Sequence, residues 1–119
     1  MEIKGTNGIL KATESYVEIS RKSFGGAVTQ GLKGDKRLYY KDLATVEYKK
    51  PSILANGYIQ FIMNAELAGN QSVGLTGVTS LEASKDPNAV ILRAFKKGFA
   101  AETEKFYNYV SERIAFYKQ

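Results

Sequence analysis

The chain has 119 residues, of which 44% are hydrophobic and 24% are charged, and these are ordinary values for a globular protein. A chain of this length can bury a core of its own, so we predict one domain over residues 1–119. The sequence contains no cysteine and no histidine, which excludes disulfides, thiolate nucleophiles and imidazole chemistry. We therefore expect a cytoplasmic protein that is not an enzyme and holds no cofactor or metal.

The formal net charge of +5 is concentrated in one region of the chain. Residues 21–50 include eight basic and three acidic side chains, so the net charge of this region equals that of the whole chain. A basic region can contact phosphates of lipid or nucleic acid, or an acidic protein surface, but solvated lysines on strands and turns are the simpler explanation.

Residues 1–8 are polar, and no apolar run approaches the roughly 20 residues that cross a bilayer. We expect neither a signal peptide nor a membrane span.

Short runs of alternating apolar residues predict β-strands from Asn7 to about Phe95. The first two strands, over residues 8–12 and 16–20, are joined by a tight turn at Thr13 and Glu14. Further strands are predicted over residues 37–40, 44–49, 58–63 and 89–95. Residues 64–88 are rich in glycine, serine and threonine, so we expect mostly loop there, with mobility over residues 65–87.

After Gly98 the apolar residues change to helical spacing, which predicts a helix over residues 99–117. Its apolar stripe consists of Phe99, Phe106, Val110, Ile114 and Tyr117, with Thr103 and Arg113 at the edges. Strands followed by one long amphipathic helix predict a mainly β fold, an antiparallel partial barrel or two-sheet sandwich with the helix packed on it.

Three segments resemble the bacterial pleckstrin-homology-like domains of the DUF4429 kind. They are GLKGDK at residues 31–36, YKDLATV at 40–46 and NGYIQF at 56–61. The resemblance covers about residues 5–115 and implies a PH-like partial barrel of seven strands in two antiparallel sheets, capped by the C-terminal helix. Members often carry a SHOCT module after the helix, and we expect this chain to lack it.

The resemblance implies a binding platform for phosphoinositides, peptides or other subunits, and the fold alone does not decide among them. Phosphoinositide-binding members usually have basic residues in the loop between the first two strands. The loop taken as its counterpart, residues 12–15, is short and acidic, so we do not expect phosphoinositide binding. Aromatic residues interleave with lysines as in single-strand nucleic-acid platforms, but alternation turns half of them into the core, so we do not expect nucleic acid as a partner.

We therefore predict a non-enzymatic PH-like interaction domain that binds a protein or peptide partner or self-associates. The alternative is a basic surface that binds anionic lipid or nucleic acid. The candidate contact is the glycine-rich arm of residues 23–36, whose apolar residues fall outside the predicted core; the alternative is that the arm folds back onto the barrel. The candidate partner surface consists of Phe24, Val28, Leu32, Lys33, Lys36 and Arg37.

Overall fold

A computed structural model describes residues 1–21, 35–65 and 86–119. In these residues seven β-strands precede one α-helix. The elements are β1 (Glu2–Lys4), β2 (Ile9–Ala12), β3 (Tyr16–Ser20), β4 (Lys36–Tyr39), β5 (Leu43–Lys49), β6 (Gly57–Met63), β7 (Ala89–Leu92) and α1 (Phe99–Tyr117). A short 3-10 turn, Tyr40–Asp42, connects β4 to β5.

The strands form two antiparallel sheets, one in the order β1-β2-β3-β4 and the other in the order β5-β6-β7. The sheets meet where the β1–β2 loop reaches β7: Thr6 N donates to Ile91 O over 2.8 Å, and Ile91 N donates to Asn7 Oδ1 over 3.0 Å. Over the described residues, the two sheets do not close into a full barrel. In the part of the chain that the structure describes, the predicted mainly β fold class is confirmed: two antiparallel sheets and one C-terminal helix.

Gly5 allows this close approach of the β1–β2 loop to β7. A Cβ atom at Gly5 would lie 2.3 Å from Val90 Cγ1 and 2.4 Å from the Ile91 carbonyl oxygen. Both distances are far inside van der Waals contact, so only glycine fits without displacing a strand.

The core lies between the inner faces of the sheets and one face of α1. Alternation along β3 places Val17 and Ile19 in the core, as predicted. The helix begins after Gly98, whose φ of 77° is left-handed, and buries Phe99, Thr103, Phe106, Val110 and Ile114. Full burial of such apolar side chains stabilises the fold by about 1.5–3 kcal/mol each, so α1 is an integral part of the core.

One strand and two strand boundaries differ from the prediction. Strand β1 was missed, because Ile3 is its single core residue and its pairing with Leu10 is not visible in the sequence. Tyr40 begins the 3-10 turn instead of ending β4. The last strand ends at Leu92, and Phe95 follows it with a positive φ of 64°, which is incompatible with a strand.

The helical stripe also needs two corrections. Thr103, expected at the edge, is fully buried, because its hydroxyl lies 2.8 Å from the Tyr48 hydroxyl and donates to Ala100 O over 2.8 Å. Tyr117, expected in the core, is 39% exposed at the end of the helix.

The loop at residues 13–15 joins β2 to β3, so the loop between the first two strands is instead residues 5–8, which contain no basic side chain.

Most of the glycine-rich arm, and residues 66–85 of the predicted mobile loop, lie outside the described residues. Among the described helices, none has the length and apolar character needed to cross a membrane.

Candidate interaction surface

The predicted partner surface can be located at two of its six residues. Phe24, Val28, Leu32 and Lys33 lie outside the described residues. Lys36 and Arg37 are neighbours on β4, so their side chains extend to opposite faces of the four-stranded sheet. The structure therefore does not bring these two cations together.

Lys36 lies on the core side of the sheet, opposite Ile19 in the β3–β4 register, and is half-buried. Burial lowers the pKa of Lys36; the negative charge of Asp86 partly counteracts this effect, and the positive charge of Arg21 adds to it. A cation in this position contributes less to an exposed contact surface than the sequence suggested.

Arg21, at the end of β3, forms a buried link between the two sheets. Its guanidinium donates to Asn7 O over 2.7 Å, to Ala89 O over 2.8 Å and to Pro87 O over 3.2 Å. Burial lowers the pKa of Arg21, and Asp86 counteracts this effect. Because all three acceptors are main-chain carbonyls of this chain, the arginine has a structural role.

Arg37 lies on the outer face of the four-stranded sheet between two tyrosines. The β3–β4 register pairs Tyr16 with Tyr39, whose ring centroids are 5.3 Å apart, and Arg37 with Glu18. The Arg37 guanidinium lies 4.8 Å from the Tyr16 ring centroid, and its Nε is 3.7 Å from Glu18 Oε2. A hydrogen bond with the Tyr39 side chain, and then the nearby Tyr16, raise the pKa of Arg37.

A second cluster of arginine and aromatic rings lies at the C-terminal end of α1. The Arg113 guanidinium is 4.5 Å from the Phe116 ring centroid and 5.6 Å from that of Tyr117, and these two rings meet edge to face at 5.3 Å. Phe116 is 51% exposed. Arg113 Nε also donates to Glu14 O over 3.0 Å, which fixes the helix end against the β2–β3 loop.

Both clusters adjoin the β2–β3 loop, because Tyr16 follows that loop directly and Arg113 donates to the Glu14 carbonyl within it. We call them together the Arg–aromatic surface. It consists of Tyr16, Arg37, Tyr39, Arg113, Phe116 and Tyr117.

Sequence reasoning found Arg37 and missed the other five residues of this surface. The alternation in β3 and β4 does place Tyr16 and Tyr39 on the polar side of each strand. Their pairing, however, depends on a register set across residues 21–35, and the sequence does not specify it.

Within residues 1–21, 35–65 and 86–119, no group of three potential metal-ligating side chains occurs.

A model of the family described as "Domain of unknown function (DUF4429)" matches residues 13–114, which is most of the chain. No curated protein and no solved structure is detectably similar to the chain.

Proposed function

We propose that this chain, which belongs to the DUF4429 family, is a non-enzymatic interaction domain that binds a protein segment through the Arg–aromatic surface. The supporting observation is that two arginines lie over aromatic rings, Arg37 over the partly buried Tyr16 and Arg113 over the exposed Phe116. We further propose that the domain acts in the cytoplasm, with which a cysteine-free sequence agrees.

The composition of the surface favours a protein partner. Tyrosine, phenylalanine and arginine are enriched at protein interfaces, while lysine is depleted there. A guanidinium held over an aromatic ring loses little conformational freedom when it binds, and it keeps donors for a planar carboxylate. The side chain of Arg37 is 55% exposed despite its contacts with Glu18 and Tyr16, so a ligand can reach it.

These properties define the chemistry of the partner. The two arginines are suited to binding carboxylates of the partner. The exposed rings of Tyr39 and Phe116 are suited to packing against aromatic or aliphatic side chains beside those carboxylates. We propose a segment in which aspartate or glutamate is adjacent to such residues.

The test is selection of binders from a random peptide library on the immobilised protein, followed by fluorescence anisotropy with the synthesised peptides. Selected sequences should combine acidic with aromatic or aliphatic residues. The double variant R37K/R113K keeps the net charge but loses stacking and bidentate geometry, so affinity should fall at least tenfold. The matched control, R93K, changes an exposed arginine outside the surface and should bind normally.

Two results would contradict this function. One is a library that yields no binder, or binders whose affinity R37K/R113K leaves unchanged. The other is a wild-type dimer in light scattering that R37K/R113K converts to a monomer, because the partner would then be a second copy of the chain.

A further inference from the structure

A second exposed surface is formed by two loops at the opposite end of α1. Residues 50–56 connect β5 to β6, and residues 93–98 connect β7 to the helix. They expose three large apolar side chains: Ile53 at 67%, Phe95 at 76% and Leu54 at 90%. We call these two segments the loop platform.

Hydrogen bonds hold the platform in shape. The Ser52 hydroxyl accepts hydrogen bonds from the Leu54 and Ala55 amides over 3.3 and 3.1 Å. The two loops are joined by Ala94 N donating to Asn56 Oδ1 over 2.8 Å and by Phe95 N donating to Ser52 O over 3.3 Å. The backbone that carries the exposed apolar side chains is therefore held in place by hydrogen bonds within and between the two loops.

Phe95 has a conformation that bulky residues rarely adopt. Its φ of 64° is in the left-handed region, where glycine or asparagine is normally found. Such a backbone persists only where the surroundings impose it, and it keeps the Phe95 ring in solvent instead of packed on the domain. A costly conformation that exposes an aromatic ring indicates a binding role.

Basic side chains line grooves with two of these apolar residues, Ile53 and Phe95. Arg93, Lys96 and Lys97 line a groove of about 390 Å³ with Ile53 and Phe95. Lys4 borders an adjoining groove of about 650 Å³ that also contacts Arg93 and Phe95. No acidic residue occurs in residues 50–56 or 93–98. These four cations lie outside the basic region of residues 21–50.

From this arrangement we infer that the loop platform binds the surface of an anionic lipid bilayer. Protruding apolar side chains can enter the headgroup region without a preformed pocket, and surrounding lysines and arginines are attracted by anionic headgroups. A protein partner would need a cavity matched to three protrusions, and lysine is depleted from protein interfaces. This surface is separate from the Arg–aromatic surface, so the inference does not depend on the proposed function.

The first experiment uses tryptophan as a local probe, since the chain contains none. Single variants Leu54→Trp and Phe95→Trp place the probe in the platform, and Phe116→Trp places it at the far end of α1. Vesicles of phosphatidylglycerol and phosphatidylcholine should shift the emission of Trp at 54 and 95 to shorter wavelength and leave Trp at 116 unchanged. Vesicles of phosphatidylcholine alone should shift none. Equal responses at all three positions would overturn the inference.

The second experiment measures co-sedimentation with the same vesicles. Each cation near an anionic surface contributes about fivefold to partitioning, so K96E/K97E should reduce binding by at least 25-fold. The control K41E/K118E makes the same charge change on exposed residues away from the platform and should lose much less. Phe95→Asn keeps the left-handed backbone, removes the ring and should weaken binding about tenfold.

The inference fails if the wild-type protein does not sediment with anionic vesicles at low salt, or if both charge pairs lose binding equally. Circular dichroism of each variant establishes that the fold is retained. A lysate protein that binds the platform while vesicles do not would show that the partner is a protein.

Discussion

Arg21 is the residue whose replacement tests the join between the two sheets most directly. It is 3% exposed and donates to three main-chain carbonyls, at Asn7, Pro87 and Ala89. Replacement by methionine keeps much of the side-chain volume but removes every donor. We expect Arg21→Met to lose about 2–4 kcal/mol of unfolding free energy.

The expected loss of unfolding free energy is the difference between two effects, the hydrogen bonds of Arg21 and the cost of burying its charge. Three hydrogen bonds from a charged donor are worth about 1.5–3 kcal/mol each, or roughly 5–9 kcal/mol before costs. Burial of the guanidinium opposes this by several kcal/mol, in agreement with the lowered pKa of Arg21. Asn7 and Pro87 are not fully buried, so water can reach their carbonyls in the variant, whereas Ala89 is fully buried.

The assay is urea unfolding followed by circular dichroism, with a thermal melt beside it. For a chain of this length about 1 kcal/mol corresponds to roughly 4 °C, so the melting temperature should fall by about 8–16 °C. Arg93→Met, at an exposed arginine, should change the free energy by less than about 0.5 kcal/mol. If Arg21→Met matched the wild type within that margin, desolvation would cancel the hydrogen bonds and the reasoning would be refuted.

Four further predictions concern the core and the turns. Phe106→Ala should lose about 3–5 kcal/mol in denaturant melts, because the ring is fully buried; a loss below about 1 kcal/mol would contradict its core position. In a double-mutant cycle, Tyr48→Phe with Thr103→Val should show coupling of about 0.5–1.5 kcal/mol from their 2.8 Å hydrogen bond, and additive losses would mean that it contributes nothing. Burial raises the pKa of Tyr40 above its unfolded value of about 10, so the folded state keeps a proton that the unfolded chain loses. Stability should therefore fall as the pH rises above about 10, and urea melts should show a shallower fall for Tyr40→Phe. Gly57→Ala should lose well over 1 kcal/mol in the same melts, because a Cβ would lie 2.0 Å from Lys49 O, and an unchanged midpoint would show that the turn can move aside.

The sequence predicts elements best where periodicity is long and local. The helix over Phe99–Tyr117 was predicted to the residue, because five apolar side chains repeat at helical spacing after Gly98. Strand β3 was predicted equally well from Val17 and Ile19. Strand β1 was missed, because its stability comes from pairing with β2 and not from its own three residues.

Polar residues at core positions are harder to predict, because their partners are distant in sequence. Thr103 occupies a core position through Tyr48, which lies 55 residues earlier in the chain. The Arg–aromatic surface depends likewise on the β3–β4 register and on a contact between Arg113 and Glu14. Secondary-structure propensity and the spacing of apolar residues depend on residues that are near each other in the sequence, so they do not predict contacts between distant residues.

The close approach at Gly5 means that a residue without a side chain helps to set the distance between the two sheets. A Cβ at Gly5 would clash with Val90, and Thr6 N donates to Ile91 O beside it. The exposed residues of the Arg–aromatic surface and the loop platform take no part in the hydrogen bonds of this seam. The residues at the two ends of α1 can therefore change independently of each other and of the frame that supports them, so a related chain could exchange one contact surface and keep the other.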